Sequence, residues 1–201
     1  MNNEIWTIGH SNRTLDAFIS LLIQNNIQAI ADVRSVPFSK YANQFNQYEL
    51  SNELDKHGIK YSFLGDQLGG RSKSQMDFED NQIQYSRLRK KETYLAGLER
   101  IKKVVPSMKV ALLCTEKDPI KCHRFVLVSM DLISHGLNVN HIYELNDIRS
   151  HHEVLEKLVE ENTPSQHSLF NDIPTIEEIL LKQEKKIAYT ITTSDNLKEE
   201  I

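Results

Sequence analysis

Cysteine is nearly missing from this chain: Cys114 and Cys122 are the two among 201 residues. So few exclude a disulfide-stapled scaffold, and in a reducing compartment a lone pair is expected to stay as free thiols. Glycine and proline are also scarce, at 7 and 5 residues, which excludes collagen-like and low-complexity architectures. No apolar run approaches the roughly 20 residues that span a bilayer, and the first residues lack a basic region followed by an apolar stretch. A cytoplasmic protein without membrane contact is therefore expected. Nor is positive charge in surplus: 24 Lys and Arg stand against 28 Asp and Glu, a net charge of −4. Nothing draws the whole chain to nucleic acid, whose binding requires cations that displace counterions from phosphates.

What is present is the composition of a folded globule, 39% hydrophobic and 26% charged. The length suits one domain with an appendage. Residues 4–9 read as a short strand ending at Gly9, and a helix follows with Thr14 as N-cap and Leu15, Phe18, Ile19 and Leu22 on one stripe. Ile27–Val33 is an apolar run of the kind buried on both faces of a parallel sheet. Tyr48–His57 reads as a helix closed by Gly58, and residues 59–64 as a third strand. The polar stretch Gly65–Asn81 reads as a long loop, and Tyr85–Val104 as one helix. Lys109–Cys114 is the clearest strand, Phe125–Ser134 a helix capped by Gly136, Val139–Tyr143 a fifth strand, and residues 150–161 a further helix. Such alternation predicts a three-layer α/β fold, a mostly parallel sheet of about five strands with helices on both faces, plus a C-terminal appendage. The expected division is a core over 1–150 and a C-terminal helix and extension over 151–201. Within the latter, residues 165–201 carry an amphipathic pattern from Thr175 to Lys186 and a β-prone Ile187–Thr192, and are expected to dock on the core, to mediate a homodimer or a protein partner, or to stay partly disordered.

Ligands of such folds bind outside the carboxyl ends of the strands, and polar residues collect there. Gly9-His10-Ser11 follows the first strand, Asp32-Val33-Arg34 the second, and Cys114-Thr115-Glu116 the fourth. Cys122-His123-Arg124 opens a helix, where unpaired N–H groups favour an anion. Arg34, Arg71 and Arg124 offer fork-shaped donors for a phosphate or carboxylate, and Gly69-Gly70 lets backbone approach a ligand. Ser11 and His123 complete the expected binding set. Glu116 is the foremost acid/base candidate, with Asp32, His10 and Cys122 as further catalytic candidates, because carboxylates, imidazoles and thiols at semi-buried strand ends can be tuned by burial and charge. Each also has a structural alternative: histidines that tie loops together, an Asp32–Arg34 ion pair that fastens a strand end, and a Glu116 that neutralises Arg124. A metal on Cys114, Glu116, Cys122 and His123 has the right ligand types, but Cys-x7-Cys-His departs from the usual zinc spacings, so neither metal nor cofactor is expected. Cys114, its loop and Arg124 resemble the phosphate-binding loop of cysteine phosphatases and rhodaneses, yet the loop is longer and has no glycine. Seven basic residues between Gln84 and Val104, against two acidic ones, read as a solvated helix face before a nucleic-acid patch.

Thr7-Ile8-Gly9-His10-Ser11, Asp32-Val33-Arg34-Ser35-Val36-Pro37, Gly58-Ile59-Lys60-Tyr61, Leu68-Gly69-Gly70-Arg71 and the run Leu112–Arg124 together resemble the bacterial and archaeal family called domain of unknown function 488. The resemblance covers residues 4–145 in order; the tail after residue 150 falls outside it. It implies the strand-end residues already reached and no settled activity. The expectation is an enzyme acting on a nucleotide, nucleoside or nucleic-acid substrate, cleaving or transferring at a glycosidic or phosphate-ester bond. Its arginines would hold the anion, and Glu116 or Asp32 would work with His10 as proton carrier. The alternative from a different class is a non-catalytic nucleotide or nucleic-acid binding module.

Overall fold

The computed structural model describes residues 3–163 and 174–191. In chain order the elements are β1 (Glu4–Gly9), α1 (Leu15–Gln24), β2 (Ala29–Asp32), α2 (Gln47–Lys56), β3 (Lys60–Phe63), a single turn α3 (Gly65–Leu68), β4 (Phe78–Glu79), β5 (Gln82–Ile83), α4 (Tyr85–Leu88), α5 (Glu92–Val104) and β6 (Val110–Cys114). A π-helical turn (Arg124–Ser129) leads into α6 (Met130–Ser134), followed by β7 (Asn138–Glu144), β8 (Asp147–Ser150), α7 (His151–Asn162) and α8 (Ile176–Ile187). The main sheet runs β3-β2-β6-β1-β7-β8, its first five strands parallel and β8 antiparallel at the edge. It is the expected α/β architecture with helices on both faces.

The side-chain period of a strand separates the interior into two cores. Val110, Leu112 and Cys114 of β6 face one way, packed with Leu98 and Ile101 of α5, Phe125 of the π-helical turn, and Val154 and Ile179 of α7 and α8. Ala111 and Leu113 face the other way, toward Phe18 and Leu22 of α1 and Leu50 and Leu54 of α2. The helix ends follow their sequence signals. Thr14 accepts from Ala17 N at 3.2 Å, and Ser150 and Thr175 each form a capping box with the Glu three residues on. Gly58 and Gly136 close α2 and α6 at φ +70° and +86°.

Three expectations change. The sheet gains a sixth strand, β8: the edge segment Asp147–Ser150, which carries no hydrophobic run, turns back at Asn146 (φ 64°) and pairs antiparallel with β7. Gly65–Asn81 is not a plain loop but holds α3 and β4. The single helix over Tyr85–Val104 is two, broken near Arg89, whose side chain turns inward to Asp131, Glu184 and the Val126 carbonyl. Of the expected extension over 165–201, residues 165–173 and 192–201 lie outside the described residues. Its described part runs beside β5: Ile83 N donates to Tyr189 O and Ile191 N to Asn81 O, both at 2.9 Å. Among the described residues no helix is long and apolar enough to cross a membrane.

Candidate functional site

β1, β2 and β6 end together, with Gly9 opposite Cys114 and Asp32 opposite Leu113. The pleat then sends their polar residues to opposite faces. Asp32 lies on the side of Leu113, and His10, two residues beyond Ile8, also points to the α1/α2 face, where its ring stacks on Phe45 at 4.4 Å. Cys114 points to the α5 face.

On the α1/α2 side the polar groups are enclosed and paired. Asp32, with no exposure, accepts from Arg34 Nε at 2.9 Å and Nη2 at 2.6 Å, and from the Tyr61 hydroxyl at 2.6 Å. Burial works against the Arg34 charge, but hydrogen bonds to Asp32 and its carboxylate outweigh burial and hold the guanidinium above its ordinary value. Burial, reinforced by Arg34, drives His10 down to about 4, so its ring is neutral at pH 7. Its Nδ1 lies 2.9 Å from Ser11 O, and Ser11 N donates to Thr115 O at 2.8 Å. On the α5 side of β1, where Thr7 is in register with Leu112, Arg124, 1% exposed, donates to Glu116 O at 2.7 Å, Lys117 O at 3.0 Å and Thr7 Oγ1 at 3.3 Å. It clamps the loop after β6 through carbonyls, so the expected Glu116–Arg124 neutralisation is replaced by a backbone contact. The same loop requires Gly9: a Cβ there would lie 1.7 Å from Glu116 O.

The other side opens as a cleft of about 250 Å³ lined by Arg34, Gly70, Arg71, Cys114, Glu116, Lys121, Cys122, His123 and Tyr189, among others. At its floor the sulfurs of Cys114 and Cys122 lie 3.8 and 3.7 Å from His123 Nδ1, while His123 Nε2 lies 3.0 Å from Val33 O. A carbonyl can only accept, so Nε2 carries a proton, and Nδ1 is the ring nitrogen turned toward the two sulfurs. A hydrogen bond to Cys122, then burial, pushes the Cys114 thiol well above its ordinary value. Burial opposes ionisation of Cys122 too, but the bond from Cys114 and the charge and backbone N–H of Arg124 prevail, leaving it below the usual thiol value. Gly70 backs the imidazole so closely that a Cβ would stand 2.8 Å from His123 Cγ.

The cleft lining carries three cations, the buried Arg34 and the exposed Arg71 and Lys121, and one carboxylate, the exposed Glu116. Arg34, 5% exposed and bound to Asp32 through Nε and Nη2, also lines the cleft. Arg71 lies over the Tyr189 ring at 4.3 Å. Arg71, Tyr189, Ser35 and Val36 also line a second hollow of about 710 Å³ that reaches Phe63, Lys73 and Tyr94, so the two hollows adjoin. A further hollow of about 320 Å³ at α7 and α8 shares Lys121 but holds no cysteine or histidine.

Of the residues singled out by sequence, Cys122, His123, Glu116, Arg34, Gly70 and Arg71 meet at the cleft, and Gly69 lines the adjoining hollow. Asp32, His10, Ser11 and Arg124 do not line either, since pairing and packing hold them behind it. Ser35, Val36, Lys121 and Tyr189 were missed. Ser35, Val36 and Lys121 sit inside the quoted motifs, whereas Tyr189 arrives from α8 with no local signal. The basic run 84–104 resolves mostly into internal bonds: Arg87 to Glu79, Arg89 to Asp131 and Glu184, Lys91 to Asp77, Arg100 to Gln67, Lys102 to Glu99.

Fold and cleft define a doubly wound α/β protein with a strand-end pocket on one side of its sheet. The chain belongs to the family described as domain of unknown function DUF488, whose model matches residues 14–130. No curated protein and no solved structure matches it.

Proposed function

We propose that this chain is an enzyme acting on a nucleotide, nucleoside or nucleic-acid substrate, cleaving or transferring at a glycosidic or phosphate-ester bond. The observation that carries the proposal is the charge pattern of the cleft: Arg71, Lys121 and Arg34, the last held from behind by Asp32, line it together with the carboxylate of Glu116, at the carboxyl edge of a parallel sheet. Arg34, Arg71 and Lys121 bind the phosphate, and the adjoining hollow with Phe63, Tyr94 and Tyr189 takes the sugar and base. Glu116 is the general acid or base, since Asp32 is committed to orienting Arg34 and His10 lies behind the sheet edge.

The test combines calorimetry of nucleoside mono- and triphosphates and short oligonucleotides with chromatography of the products. Glu116→Gln should keep or tighten binding and lose turnover. Full turnover in that variant would remove Glu116 from the chemistry, and no binding of any of these compounds would sink the substrate class. Binding that falls steeply with salt and yields no product would favour the non-catalytic module instead.

A further inference from the structure

We propose that Cys114, Cys122 and His123 form a binding site for a thiophilic divalent metal of the zinc class, with a fourth coordination position open to the cleft. The donor atoms of these three residues lie within 4.8 Å of one another. Around a tetrahedral zinc with Zn–S near 2.3 Å and Zn–N near 2.0–2.1 Å, sulfur and nitrogen ligands stand roughly 3.6 Å apart. The two observed separations, 3.8 and 3.7 Å, are close to that edge. Both sulfur–nitrogen edges of the site therefore need little adjustment.

The surroundings match what a metal ligand needs. A coordinating histidine usually gives its second ring N–H to a carbonyl or carboxylate, which fixes the tautomer and aims the other nitrogen at the ion. His123 does this with Val33 O at 3.0 Å, and Gly70 holds the ring from behind. Arg124 N donates to Cys122 Sγ at 3.4 Å, the kind of N–H contact that supports a ligating thiolate. Ligands drawn from a strand end, a loop and a helix start escape the spacing rules for zinc, which describe knuckles and single helices. Three protein ligands leave a position for water or substrate, and a zinc-bound water ionises near neutrality. Glu116 and Arg34 line the same cleft. The metal site stands on the cluster alone; a catalytic use of it rests on the enzyme reading above.

The test uses the reduced, chelator-treated full chain, titrated with Zn2+ and separately with Co2+. Uptake of one ion per chain is expected, with a thiolate-to-cobalt charge-transfer band and the intense visible bands of tetrahedral cobalt. Cys122→Ser and Cys114→Ser should each weaken or remove the charge-transfer band, and Gly70→Ala should lower affinity about 10- to 100-fold by displacing His123. Should the serine variants fail to fold, the wild-type cobalt spectrum decides. No stoichiometric uptake, a cobalt spectrum without the sulfur band, or equal uptake by the double serine variant overturns the site. Nucleotide binding to the chelator-treated chain is read separately, so loss of the metal site and loss of the cleft reading are distinguishable.

Discussion

The two faces of the sheet meet at its carboxyl edge and use similar residues in opposite ways. On the α1/α2 face, Asp32, Arg34, Tyr61 and His10 form a closed set in which each charge or dipole is met by another. On the α5 face, Cys114, Cys122, His123 and Glu116 border open space, with cations that have no carboxylate partner other than Glu116 in the cleft lining. Polar burial of the first kind fixes geometry; polar exposure of the second kind leaves groups free to meet a ligand. Arg34 belongs to both, bound to Asp32 by two nitrogens and also lining the cleft.

The contrast breaks most violently at Asp32. Asp32→Ala leaves the Arg34 guanidinium, 5% exposed, without its counter-charge, and breaking a buried pair in this way costs about 3–5 kcal/mol. Urea unfolding should register that loss, with anion affinity falling as well because Arg34 is no longer held. An unchanged midpoint would mean that the pair contributes nothing to folding.

Acid should unfold the protein through two buried histidines, one on each side of the sheet. The folded state holds His10 at about 4, by burial first and Arg34 second, and burial alone holds His151 at about 4, against 6.5 when unfolded. Because the unfolded chain takes up protons first, these groups leave stability intact above pH 6.5. They remove it as pH falls toward 4, each by about 1.4 kcal/mol per pH unit at most. His10→Gln should flatten that slope in denaturant titrations between pH 7 and pH 5. An unaltered slope would remove His10 as a source of acid sensitivity.

Most of this arrangement is legible in the sequence, and the pleat explains the rest. Thr14, Gly58, Gly136 and the apolar run Val110–Cys114 specify α1, α2, α6 and β6 through capping and hydrophobicity, which act over a few residues. The carboxyl-edge residues are likewise visible as polar groups at strand ends. Their division between faces is not, because a strand-end residue's face depends on where the strand starts and how the loop leaves it: Asp32 and Cys114 differ by one register step, Asp32 pairing with Leu113. Tyr189 is hidden for another reason. Its place follows from α8 docking on the core through Ile179 and Gln183, the latter donating to Ile120 O at 2.7 Å, a long-range contact with no local mark.

Gly70→Ala should have an intermediate effect. A methyl 2.8 Å from His123 Cγ and 2.9 Å from its Cβ forces the imidazole to move, an overpacking cost of about 1–3 kcal/mol. The signature is a pairing of modest destabilisation with altered cysteine chemistry. In the metal-free chain Cys122, whose sulfur accepts from Arg124 N at 3.4 Å, should be alkylated ahead of Cys114, and moving His123 should change that rate. Mass spectrometry of timed iodoacetamide reactions reads both. Equal labelling of the two thiols in the wild-type chain would contradict the asymmetry of the pair.

The smallest stability effects belong to the open rim, and there the comparison is sharpest. Glu116 and Arg71 are both exposed, so Glu116→Gln and Arg71→Met should move the unfolding free energy by about 0.5 kcal/mol or less. Arg71→Met keeps an apolar stem against the Tyr189 ring but removes the guanidinium that stands 4.3 Å from it. Its anion affinity should therefore fall while the fold stays intact, and the slope of affinity against salt should become shallower by about one phosphate contact. A variant that destabilises the fold as strongly as Asp32→Ala would show that the rim is structural after all, and the division between the two faces would not hold.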